Sequence, residues 1–190
     1  VRSFVNLHVR SGDADAARRL VGKLRSEGLA SYAVMAEPWL SVYDEALEAE
    51  EDPSLLNAAL QEASRLGRAA AFMVHEDEDL YWALAEEGKL LYAYQAEAGA
   101  APRRRGAPPP WLDEEAVRLA EEGQPKSASV RALAALLEIE PEHALVGFAD
   151  LLQADEESEL SEEVWIFEDE EAFLAMSTPS LKRGDEDVGS

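Results

Sequence analysis

Between positions 4 and 75 the hydrophobic pattern of this chain switches between a period of two and a period near 3.6 in a set order, and that order limits the folds open to it. Val5, Leu7 and Val9 alternate with Phe4, Asn6 and His8, as in a strand with two unlike faces. Ala17, Leu20, Val21 and Leu24 then make an apolar stripe at helical spacing, with Asp13 placed to cap its start and Gly28 to stop it. Segments 31–37 and 39–44 read as strands parted at Pro38, whose nitrogen has no hydrogen to give a continuous ladder. A second stripe, Leu55, Leu56, Ala59, Leu60, Ala63 and Leu66, follows the start signal Asp52-Pro53 and runs to Gly67. Segment 69–75 is a further strand. Strand, helix, strand, strand, helix, strand is the order of ferredoxin-like α+β sheets, with both helices expected on one face. Segments 80–86 and 89–95, joined through Glu87-Gly88, are expected to extend that sheet as an antiparallel hairpin.

The pattern then breaks. The run AEAGAAPRRRGAPPP at 96–110 has no apolar period, so residues 1–95 are read as an α+β sheet domain and 96–112 as a Pro/Arg-rich linker or loop. Residues 113–178 are expected to be mainly helical, with helices beginning near Asp113, Ser129 and Pro141, and 179–190 to be a disordered tail. Leu133, Leu136 and Leu137 are expected to face Leu145, Phe148, Leu151 and Leu152 across an antiparallel helical hairpin. The apolar stretch 164–167 reads as a late strand.

A chain of 190 residues with 47% hydrophobic residues can bury a core without a covalent staple. It has no cysteine, which removes disulfides, thiolate nucleophiles and cysteine-bound zinc, and suits a reducing cytoplasm. Its formal charge of -23 repels phosphate backbones and anionic lipid, so neither nucleic acid nor membrane is expected as a partner. The charge is uneven: residues 1–36 hold six basic and three acidic residues, and 140–190 hold two basic and sixteen acidic. The sequence shows no secretory leader pattern and no long apolar run, so a cytoplasmic location is expected.

Three groups of residues invite a chemical reading. In an extended chain His75, Asp77 and Asp79 would point the same way, and an imidazole with two carboxylates could take a divalent cation able to polarise a phosphoryl or carbonyl oxygen. Acidic turns, however, commonly do no more than face water. Phe4, His8, Trp39 and Tyr43 would share the sheet face opposite the two helices. That face is read as one closed by the C-terminal helices or by a second copy, since a monomer seldom exposes a large apolar patch. Arg103, Arg104 and Arg105 form the one basic triplet, able to grip an anionic partner or to dock on the chain's own carboxylates. The acidic C-terminal third could also imitate DNA. Neither a Gly-x-Ser-x-Gly elbow, a phosphate-cradling glycine loop with lysine nor a His-Glu-x-x-His motif occurs.

Trp39 and Tyr43 on one strand, an amphipathic helix, the Asp77-x-Asp79 turn and the Gly88 hairpin resemble an uncharacterised bacterial α+β family, and 133–152 (LAALLEIEPEHALVGFADLL) is similar to its later helical part. The resemblance implies a fold and a bacterial origin, and no activity. The reading of the whole is a non-catalytic protein-interaction or regulatory module that binds a protein partner or itself. No cofactor is expected beyond a divalent cation in the acidic turn. The alternatives are a metal-dependent hydrolase built on 75–79 and an acidic DNA-mimic inhibitor.

Overall fold

The computed structural model describes residues 2–160 and the strand Val164–Ile166. The expected tail at 179–190 lies outside the described residues. Seven strands, β1 (Phe4–Arg10), β2 (Tyr32–Ala36), β3 (Trp39–Tyr43), β4 (Ala69–His75), β5 (Asp79–Glu86), β6 (Lys89–Ala96) and β7 (Arg103–Gly106), join the short β8 (Val164–Ile166) in one antiparallel sheet. Their order is β7-β6-β5-β4-β1-β3-β2-β8. The fold is mixed α+β, and the sheet is wider at both edges than four strands and a hairpin.

Helices α1 (Ala14–Ser26), α2 (Glu45–Ala49) and α3 (Ser54–Ala63) bury their stripes against one face. Asp13 caps α1 through the amides of Asp15 and Ala16, and Gly28 takes φ +74° just past its end. The first core sets Val5, Leu7 and Val9 against Leu20, Val21 and Leu24 of α1 and Leu56 and Leu60 of α3. The opposite face carries α4 (Glu114–Glu121), α5 (Lys126–Leu137) and α6 (Pro141–Ala144), whose Val117, Val130, Leu133 and Ala144 bury Phe4, Phe72, Trp82 and Tyr92 in a second core. Helix α7 (Phe148–Glu156) sits over β2 and β3, where Phe148 and Leu151 pack on Tyr32, Val34 and Tyr43.

Two expectations change on this scaffold. The 96–112 segment contains β7, paired with β6 from Tyr92↔Gly106 to Gln95↔Arg103, so much of it is sheet. It lacks apolar alternation because all four residues of an edge strand can stay exposed. The hairpin of 133–137 on 145–152 is also replaced. Leu133 and Leu137 turn to the second core, Phe148 and Leu151 to the β2–β3 cluster, and Leu136 and Leu152 remain 37% and 38% exposed. A broad sheet offers each helix more apolar area than a partner helix of the same length.

Candidate functional site

The second face is built from aromatic groups and is closed. Phe4, His8, Trp39 and Tyr43 do share it, as their alternation requires, and all four are buried beneath the C-terminal helices and their connections. Between the two aromatic clusters runs a polar seam. His8 Nδ1 lies 2.7 Å from Ser41 Oγ and its Nε2 lies 2.8 Å from Asn6 Oδ1, while Asn6 Nδ2 donates to the carbonyls of Ala144 and Val146. The Tyr43 hydroxyl donates to the His143 carbonyl. Burial, with a smaller push from His143, lowers the His8 imidazole to about 3, so it is neutral in the fold. Burial likewise drives the Tyr43 phenol up. The seam therefore ties α6 and its flanking residues to the sheet through side chains that are themselves fully buried.

A second buried group sits nearer β6. Glu121 is fully buried at the end of α4, where its Oε2 accepts from Trp82 Nε1 at 2.8 Å and from the Tyr92 hydroxyl at 2.6 Å. Its Oε1 accepts from Arg104 at 3.2 Å, and that guanidinium also covers the Tyr94 ring. Lys126 Nζ donates to the carbonyls of Glu121 and Gly123, completing the end of α4. Burial raises the Tyr92 phenol, and the neighbouring carboxylate raises it further. Sequence reasoning passed over Glu121. Its signal was its place in the stripe Val117, Ala120, Glu121, a carboxylate where a helix presents its buried side.

The acidic turn is arranged otherwise than extended alternation implies. Glu76 and Asp77 take φ +51° and +58°, which breaks the alternation between His75 and Asp79. Asp77 accepts from the amides of Arg2 and Ser127, and Asp79 from the amide of Ala98, so these carboxylates fasten the N-terminus, α5 and the loop before β7. His75 is exposed beside Glu76. Among the described residues no three His, Cys, Asp or Glu side chains converge as a metal site.

What stays open is the part of the first face beyond α3. Helix α3 lies over β4, β5, β1 and the near side of β6, while α4, α5 and α6 pack on the other face, so the open border of the first face runs along β6 and β7. A cavity of about 750 Å³ begins at Glu51 and Asp52 and passes His75 and Asp79 to Tyr81, Gln95 and Arg103. A second, of about 250 Å³, shares those last three and adds Asn57, Leu90, Ala93, Arg104 and Arg105. No family model, curated protein or solved structure matches this chain.

Register decides where the arginines go. Arg105 pairs with Ala93 and Arg103 with Gln95, so both stand on the groove face, and Arg104, opposite Tyr94, stands on the second face with Glu121. Arg103 donates to Gln95 Oε1 at 3.1 Å and lies 3.6 Å from Glu97. Tyr81 donates to Asn57 Oδ1 at 2.6 Å; burial raises its phenol, with the Asn57 bond and the Arg105 charge acting against that. Gly106 ends the strand at φ +75°, where a β-carbon would stand 2.2 Å from the Leu91 carbonyl oxygen.

Proposed function

We propose that this protein is a non-catalytic interaction or regulatory module, with a ferredoxin-like unit β4-β1-β3-β2 as its scaffold and a cytoplasmic setting. Among the described residues no helix is long and apolar enough to cross a membrane. Its partner is an acidic segment of another protein, received along β7 and the adjoining groove. One observation carries this reading: a chain of net charge -23 places two arginines side by side on an exposed edge strand bordering its uncovered sheet face. An edge strand offers unpaired backbone groups to an incoming strand, and the arginines select for negative charge. Among the described residues the groove holds no nucleophile paired with a base: His75 faces Glu76, and Tyr81 is engaged with Asn57.

The test is affinity capture from lysate with the wild-type chain and with the double variant Arg103→Glu and Arg105→Glu. Arg104 is left intact because it holds Glu121. Acidic proteins retained by the wild type and lost from the variant are expected. An identical retained set for both proteins overturns the proposal.

A further inference from the structure

The smaller cavity has a composition unlike the rest of the molecule. Its lining includes three arginines and no carboxylate, in a protein with 40 acidic residues. Arg104 is already matched by Glu121, which leaves the two groove-facing guanidinium groups of Arg103 and Arg105. Arg105 makes no side-chain hydrogen bond or ion pair among the described residues, and the Arg103 contact with Glu97 is between exposed groups, which screening makes weak. The amide nitrogen of Asn57 also has no partner among the described residues, since its oxygen alone is used by Tyr81. The wall thus offers donors from three side chains and positive charge of about two, over an apolar floor of Leu90 and Ala93. A lone carboxylate would leave one guanidinium unmatched. A phosphomonoester, with a charge near -2 at pH 7 and three acceptor oxygens, matches both forks and the amide.

We infer that Arg103, Arg105 and Asn57 form a binding site for a dianionic phosphomonoester. The inference rests on the partner reading above in so far as a phosphorylated side chain of the acidic segment would bring the group in; free phosphate is the other source of the same chemistry. The molecule's overall negative charge does not forbid it, because distant charges are screened beyond about 8 Å at physiological salt.

The experiment is titration of the intact chain, followed by calorimetry and amide NMR, with four probes. These are a short phosphoserine peptide, its unphosphorylated form, its glutamate counterpart and inorganic phosphate. Binding of the phosphoserine peptide is expected at least tenfold tighter than either non-phosphorylated peptide, with shifts at β6 and β7. It should strengthen as the pH is raised through about 6, where the second phosphate proton leaves. Arg105→Gln and Arg103→Gln should each weaken it about tenfold, and Arg131→Gln, which removes the same charge from the solvent side of α5, should not. Inorganic phosphate binding as tightly as the phosphopeptide would assign the site to free phosphate, and a clear preference for the peptide to a protein-borne group. Absence of binding at millimolar probe, or binding that all three variants share, overturns the inference. Capture that still depends on the arginines would in that case leave the partner reading standing, whereas phosphate binding with no captured partner would remove the partner reading alone.

Discussion

Acidification should destabilise this protein through His8. In the unfolded chain the imidazole takes a proton near pH 6.5, while burial lowers it to about 3 in the fold. Between these values the unfolded state binds more protons, so the native state has its full advantage above pH 6.5 and loses it as the pH falls toward 3. At 1.36 kcal/mol per pH unit, a drop to pH 5 removes about 2 kcal/mol through this one group. Asp44 and Glu48 act with the opposite sign, since burial raises both carboxyls and the fold takes up their protons first. A variant isolates His8 from them. Urea unfolding of the wild type and of His8→Gln is measured at pH 7 and pH 5, and the wild type should lose about 2 kcal/mol more than the variant across that interval. The imidazole carbon resonances of His8 should also stay unchanged from pH 8 to 5. Equal losses in the two proteins, or a His8 resonance titrating near 6.5, would refute the claim that the seam holds a neutral imidazole.

Three further outcomes test the rest of the frame. Glu121→Ala strands the Trp82 and Tyr92 donors and takes the carboxylate from Arg104, so unfolding free energy should fall by about 3 kcal/mol with a changed Trp82 near-UV signal; a loss below about 1 kcal/mol would contradict the network. Gly106→Ala should release β7 from β6, seen as faster amide exchange confined to β7, because the new β-carbon meets the Leu91 carbonyl; unchanged exchange would count against the tight end of that strand. Asp77→Ala should cost about 1 kcal/mol by freeing the Arg2 and Ser127 amides, and magnesium, manganese or zinc should leave the wild-type melting temperature where it is; a metal-dependent rise would return Asp77 to a ligand role.

Local chemistry along the chain was enough to place β1 to β6, α1 and the body of α3, because each signal there acts within one or two turns, whereas the short α2 was not read and α3 ends at Ala63 rather than at Gly67. The alternation of Phe4 through Val9, the Asp13 cap, the helical stripes and the Gly88 turn are each written within one segment, and β1 to β6 lie where those signals put them. The same logic separated Val5, Leu7 and Val9 from Phe4, Asn6 and His8 onto opposite faces. What no local signal holds is the destination of a face. Leu133 and Phe148 look equally ready to pack on each other or on a sheet, and only the competing areas of a broad sheet decide between them. Arg103 to Arg105 read as linker because an edge strand with every side chain exposed has no apolar period, yet hydrogen bonding to β6 sends Arg104 to Glu121 and leaves its neighbours in the groove. His75, Asp77 and Asp79 diverge because two turn residues adopt a left-handed backbone, and Glu121 is buried because Trp82 and Tyr92, far away in sequence, supply its donors. The one-dimensional pattern thus determines which residues share a side of each element, since that follows from backbone period alone. Which sides meet, and so which charges are buried and which are left for a ligand, is settled only when elements distant along the chain compete for the same surface.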